Sequence, residues 1–137
     1  MTRTGAADTK QLMGLAQGMV VQELGWDSDT DEELRTAVME VIDADMVEEA
    51  DEAVDAVLLW WRLEDGDVVD ALVDALTDLS SDGVVWLLTP KVGREGHVPQ
   101  ADIAEGALTA GLSLTSTVNL SKQWAAHKLV RPKGGRR

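Results

Sequence analysis

The sequence predicts an α/β domain: a mainly parallel sheet of five or six strands, helices on both faces, and a closing antiparallel hairpin. Three observations predict it. The stretch from Val54 to Lys91 reads as strand, helix, strand, with apolar runs at Ala53–Trp61 and Val84–Leu88 around a helix-period segment, Val68–Leu79. Two strands joined by a helix of this length form a parallel pair with a right-handed crossover. A second helix is announced by Leu34, Ala37, Val38, Val41 and Ile42, one apolar stripe at intervals of three and four. Finally, Leu114–Asn119 alternates Leu114, Ser116 and Val118 against Thr115, Thr117 and Asn119, and the polar link L-S-K-Q joins it to a strand at Trp124–Arg131, as in a hairpin. A length of 137 residues fits one domain, read here as residues 11–131 between a disordered start (1–10) and a basic flexible tail (132–137).

In chain order, Gln11–Gln17 predicts one short helical turn before Gly18, and Met19–Leu24 a short strand that turns at Gly25-Trp26-Asp27. Thr30 and Glu33, three apart, carry the capping-box signature ahead of the first long helix, expected to end near Asp43. Asp45-Met46-Val47 reads as a short edge strand or as part of an acidic loop. Asp67 is placed to cap the next helix, whose buried face is expected at Val69, Leu72, Val73, Leu76 and Leu79. Asp70, Asp74 and Asp78 lie on its opposite face, and Gly83 stands where a left-handed cap is expected. Pro99 suits the first position of a last helix running from about Gln100 to Ala110 and closed by Gly111.

Composition narrows the function classes. Without cysteine there are no disulfides, thiol nucleophiles or thiolate metal ligands, and His97 and His127 alone cannot make a histidine-rich metal site. No G-x-S-x-G, P-loop or H-E-x-x-H motif occurs, so no catalytic residue, cofactor or metal ligand is assigned; a carboxylate-only Mg²⁺ or Ca²⁺ site stays open, without a D-x-D-x-D-G loop to mark it. No apolar run is long enough to span a bilayer and the start lacks a secretion-signal core, which predicts a cytoplasmic protein without membrane contact. The net charge is −13, with twenty-one acidic and two basic residues (Arg35, Arg62) between Glu23 and Asp82. That balance argues against nucleic-acid binding beyond a weak contribution from the basic tail. Five Trp residues supply all the aromatic rings. Trp60 and Trp61, adjacent in a strand, must face opposite sides of the sheet, and Trp86 reads as core. His127, beside Lys128, reads as a surface residue.

Taken together, V-D-A-V-L-L-W-W before a helix, the strand S-D-G-V-V-W-L-L-T-P, and A-G-L-S followed by a strand and W-A-A-H-K-L-V-R resemble a shortened, Rossmann-like methyltransferase sheet. The chain also resembles, over about residues 12–131, a small actinobacterial family of unknown function. That likeness rests on V-V-Q-E-L-G-W-D, D-A-V-L-L-W-W, W-L-L-T-P-K-V-G-R-E-G-H-V and T-S-T-V-N-L-S. It implies a fold and no activity. Methyltransferases hold S-adenosylmethionine at a Gly-rich turn after the first strand, where close approach needs residues without side chains. Here that turn, Glu23-Leu24-Gly25-Trp26-Asp27, has one Gly and a Trp in the way, so the resemblance implies a degenerate, pseudoenzyme-like version of the fold.

Ligands of open α/β sheets collect at the carboxyl ends of parallel strands. Three such ends, Gly25-Trp26-Asp27, Trp61-Arg62 and Thr89-Pro90-Lys91, are expected on one edge. Lys91, Arg94 and His97, spaced by Gly93 and Gly96, form a compact basic loop in an acidic molecule. Gly lets backbone N–H groups turn toward an anion and the cations supply charge. Trp26 and one of Trp60 or Trp61 offer flat faces to a base. The candidate ligand site is therefore Gly25, Trp26, Trp61, Thr89, Lys91, Gly93, Arg94, Gly96 and His97. The simpler expectation for the loop is that its cations neutralise nearby carboxylates of the same chain. The favoured function is a non-catalytic regulatory or ligand-binding protein for an anionic or nucleotide-like metabolite. The alternative is an interaction module, a homodimer or adaptor, using an acidic helix face. A residual S-adenosylmethionine-dependent methyltransferase ranks last.

Overall fold

Five strands form one sheet in the order β1-β2-β3-β5-β4 in the computed structural model, which describes residues 9, 10 and 13–132. The strands are β1 (Val21–Leu24), β2 (Val54–Trp60), β3 (Leu79–Pro90), β4 (Ser113–Val118) and β5 (Trp124–Val130). The first three run parallel, and β5 lies antiparallel to both β3 and β4. The carboxyl ends of β1, β2 and β3 therefore share one edge, as the sequence predicts.

Helices α1 (Glu32–Ile42), α2 (Val68–Ala75) and α3 (Gln100–Thr109) cover the sheet. Burial of their apolar stripes divides the core in two. On one face Leu34, Val38 and Ile42 of α1 pack on Leu58, Trp60, Trp86, Leu88 and Trp124. On the other, Leu72 and Ala75 of α2 and Ile103 and Ala107 of α3 pack on Val57, Leu59, Val85, Leu87 and Leu129. Trp60 and Trp61 do face opposite sides, and Trp86 is core.

Several local expectations are corrected. Asp31, not Thr30, caps α1 by accepting from Leu34 N at 3.1 Å, while Thr30 bonds back to Asp27 O. Asp67 caps α2 as expected, but the helix stops at Ala75, and Leu79, read as its last buried position, already belongs to β3. Val73 is consequently half exposed, and Gly83 lies within β3, where a Cβ would strike the Leu79 side chain. Asp45-Met46-Val47 contributes a single parallel bridge, Val47 to Gln22. Pro99 sits one position before the first helical residue of α3, and Gly111 closes the helix with φ +90°. The expected turn at Gln11–Gln17 falls partly on residues 11 and 12, outside those described; Thr9, Lys10 and Met13 are helical, and Gly14 ends the turn with φ +68°. The expected disordered start and flexible tail lie outside the described residues, apart from Thr9, Lys10 and Pro132. Among the described residues no helix is long and apolar enough to cross a membrane.

Candidate functional site

The turn after β1 lies directly on the end of β2. Gly25 has φ +78°, and a Cβ there would lie 2.2 Å from the Trp60 carbonyl oxygen, so glycine is required by packing inside the chain itself. One residue pair earlier, the Glu23 carboxylate is buried inside the sheet. It accepts from Arg35 Nε and Nη2, each at 2.6 Å, and from Trp60 Nε1 at 2.9 Å. The bonds that Glu23, and then Glu32, accept hold the Arg35 guanidinium in its charged form, above its ordinary pKa. This bidentate pair fastens α1 to the sheet.

Arg62, the first residue past the Trp60-Trp61 end of β2, is 8% exposed and spends its donors inward. Nη1 donates to Gly25 O at 2.9 Å, Nε to Asp29 Oδ2 at 3.1 Å, and Nη2 to Asp29 Oδ1. Asp65 Oδ2 accepts from the Arg62 backbone N–H at 2.9 Å and from Nη1 at 3.3 Å. Burial works against the charge on Arg62, but Asp29 and Asp65 outweigh it, so the guanidinium stays charged. Reciprocally, the hydrogen bond from Arg62 holds the Asp29 carboxyl below its ordinary pKa. The guanidinium carbon lies 5.2 Å from the ring centre of Trp124, which packs edge-on against Trp60 with centres 5.0 Å apart.

Beyond β3 the chain enters the basic loop. Gly93 and Gly96 take φ of +89° and +88°. A Cβ on Gly96 would lie 3.2 Å from Arg62 Cβ and 3.3 Å from Pro90 Cγ, so this glycine too is set by close packing. Lys91 N donates to Gln123 O at 2.9 Å and Arg94 N to Lys91 O at 3.0 Å. The Arg94 guanidinium donates to Gln123 O at 3.1 Å and lies 5.9 Å from the Trp124 ring centre. His97 Nδ1–H donates to Pro90 O at 3.0 Å, a bond that leaves Nε2 as its other polar atom. Among the described residues the ion pairs are made by Arg35 and Arg62; Lys91 and Arg94 make none. The loop cations form no ion pair with the described carboxylates, but Arg94 acts at longer range on Asp29 and helps to hold its carboxyl below the ordinary pKa, so the simpler expectation holds in part.

A shallow cleft of about 460 Å³ opens on the other side of Arg62. Gly25, Trp26 and Trp61 line it, together with Asp27, Asp65 and Asp74; Thr89, Lys91, Gly93, Arg94, Gly96 and His97 do not. The nine candidate residues thus fall into two groups: three on an acidic, aromatic cleft, and most of the rest on a cationic loop. Thr89 belongs to neither surface. It is buried, and its hydroxyl bonds His127 Nε2 at 3.0 Å. His127, expected at the surface, is 4% exposed; its Nδ1 meets Thr117 Oγ1 at 2.9 Å, and burial pushes its pKa down to about 4. Sequence reading also missed Glu23, Asp29 and Trp124. A signal for Arg35 and Arg62 existed, since they are the two basic residues in the acidic middle and both become anchors.

Residues 10–133 match the family described as Protein of unknown function (DUF3052). The chain belongs to that family. Its relatives include the uncharacterized proteins Mb2263c of Mycobacterium bovis and Rv2239c of Mycobacterium tuberculosis. Each is 49% identical over 129 residues, covering 93% of this chain and 81% of the relative. Among solved structures, the pyocyanin biosynthetic protein PhzM is similar with a TM-score of 0.67 at 14% identity, over 93% of this chain. The likeness spans about half of PhzM, 54% of its length. A SAM-dependent methyltransferase from Aquifex aeolicus is similar with a TM-score of 0.59 at 12% identity, over 92% of this chain and 89% of that one. At such identities the likeness shows the fold, which is methyltransferase-like and Rossmann-like.

Proposed function

We propose that this member of the DUF3052 family is a non-catalytic ligand-binding or regulatory protein that takes an anionic, phosphate-bearing metabolite at the loop after β3. The observation that carries this reading is the pair Lys91 and Arg94. They stand on a glycine-turned loop at the carboxyl edge of a parallel sheet, free of ion pairs with the described carboxylates. Cations outside ion pairs, beside turned backbone amides, are the chemistry that recognises phosphate. A retained methyl transfer is the weaker reading. At the turn after β1, where a methyltransferase would take its cofactor, Gly25 is the one glycine and packs on the Trp60 carbonyl, while Trp26 and the carboxylates of Asp27, Asp65 and Asp74 line the cleft beside it.

A thermal-shift screen of nucleotides, phosphometabolites and inorganic phosphate tests the proposal. A ligand at a hundredfold excess over its Kd stabilises the fold by about 2.7 kcal/mol, a shift of several degrees. That shift should vanish in the double variant Lys91→Ala/Arg94→Ala. If no compound raises Tm, or the double variant responds like the parent, the reading fails. Absence of heat on titrating S-adenosylmethionine would end the transferase reading.

A further inference from the structure

The two edges of the sheet are finished differently. The outer side of β1 is covered: Val47 N donates to Val21 O at 2.9 Å and Val47 O accepts from Glu23 N at 2.8 Å. The Gln22 amide adds a bond to Glu48 O, so an acidic segment lies along that edge. The outer side of β4 has no such cover. Among the described residues the backbone of Ser113–Val118 has β5 as its sheet partner, and no other backbone group bonds it.

Soluble proteins blunt an open edge with Lys, Pro or inward-pointing charge. β4 has none of these. The sixteen residues from Gly106 to Ser121 contain no charged side chain, in a chain of which 27% is charged. A register shift between Leu114 and Ser116 is the one protective irregularity, and it leaves Ser116, Thr117 and Val118 paired in regular register with β5. That segment is also held in place, because His127 bonds Thr117 on β4 and Thr89 on β3. An ordered edge loses less freedom when it pairs again.

We infer that β4 is the interface of a homodimer, in which a second copy pairs its own β4 antiparallel across a two-fold axis and continues the sheet. A strand edge is self-complementary in that arrangement, and opposed Ser and Thr side chains are favourable cross-strand pairs. Charge selects the second copy's position. Each chain carries −13, with twenty-one of its carboxylates between Glu23 and Asp82, on β1 to β3 and their connections. Two copies meeting through the α2 face would oppose Asp70 and Asp74 with their own counterparts. Meeting at β4, they approach by the edge farthest from β1 and bring no charged strand residue together. This inference does not depend on the ligand proposal.

Sedimentation equilibrium of the full chain across micromolar concentrations tests it, together with hydrogen exchange at the two ends of that range. A dimer is expected, with the amides of β4 protected at high concentration and exchanging faster on dilution. Ser116→Glu sets a carboxylate opposite Lys128, a cross-strand pair that supports the monomer fold. It also adds one negative charge from each copy to the interface and should weaken the dimer about tenfold. Asp74→Asn, on α2, should leave the dimer constant no weaker. A chain that is monomeric throughout, a dimer whose β4 amides exchange at a concentration-independent rate, or a folded Ser116→Glu variant that dimerises as tightly as the parent would each overturn the inference.

Discussion

The turn after β1 and the loop after β3 stand on the same sheet edge, use glycine at positive φ, and are in contact through Arg62. Yet the cation at one is held in ion pairs and those at the other are not. At the first, Gly25 brings the backbone onto the Trp60 carbonyl, and Arg62 directs its donors to Gly25, Asp29 and Asp65. At the second, the Arg94 guanidinium makes one hydrogen bond and a ring contact, and Lys91 bonds through its backbone. At one sheet edge, a single buried cation thus serves structural support. What separates the two is the ion pairing of their cations, not the presence of glycine.

Mutations can break this contrast. Gly25→Ala should have the largest effect, about 4 kcal/mol in urea denaturation, from backbone strain plus overpacking against the Trp60 carbonyl. An alanine variant of parental stability would mean that the turn is not closed on itself. Arg62→Met should cost about 3 kcal/mol, because Gly25 O loses its donor and Asp29 and Asp65 lose their cation, although both carboxylates are partly hydrated. Beneath the open loop, His127 is neutral when folded, with a pKa of about 4 against an ordinary 6.5. The unfolded chain then binds the extra proton, so stability should fall from pH 6.5 to pH 4 by about 2 kcal/mol and level off below. His127→Gln should flatten that part of the profile. The smallest change is expected for Lys91→Ala/Arg94→Ala, less than about 1 kcal/mol, since neither side chain is in an ion pair. A larger loss would move the loop to the structural side of the comparison.

Much of the fold was legible because periodicity reports burial. β2, α1, α3 and the terminal hairpin are each found within a few residues of where the apolar pattern places them. The pattern failed where two periods agree locally. Leu76 and Leu79 continue the helical spacing of α2, yet the chain turns after Ala75 and Leu79 starts a strand. For His127 the neighbouring Lys128 was misleading. Strand alternation would have served better, because Leu129, two residues on, is buried on the α2–α3 face. The site was half legible. Strand ends and the basic loop follow from topology and composition, but the closure by Arg62 depends on Asp29, thirty-three residues away, and no local rule pairs them.

The tryptophans give the molecule a further property. With five Trp and no Tyr or Phe, its near-ultraviolet emission comes from indole alone. Trp60 and Trp124 form a buried pair, whereas Trp26 is 54% exposed, so blue- and red-shifted emitters coexist in one chain. Trp124 also lies beneath the guanidinium of Arg94. An anion that draws Arg94 outward would alter the field at that indole, and the protein would signal occupancy of its loop by colour, without any label.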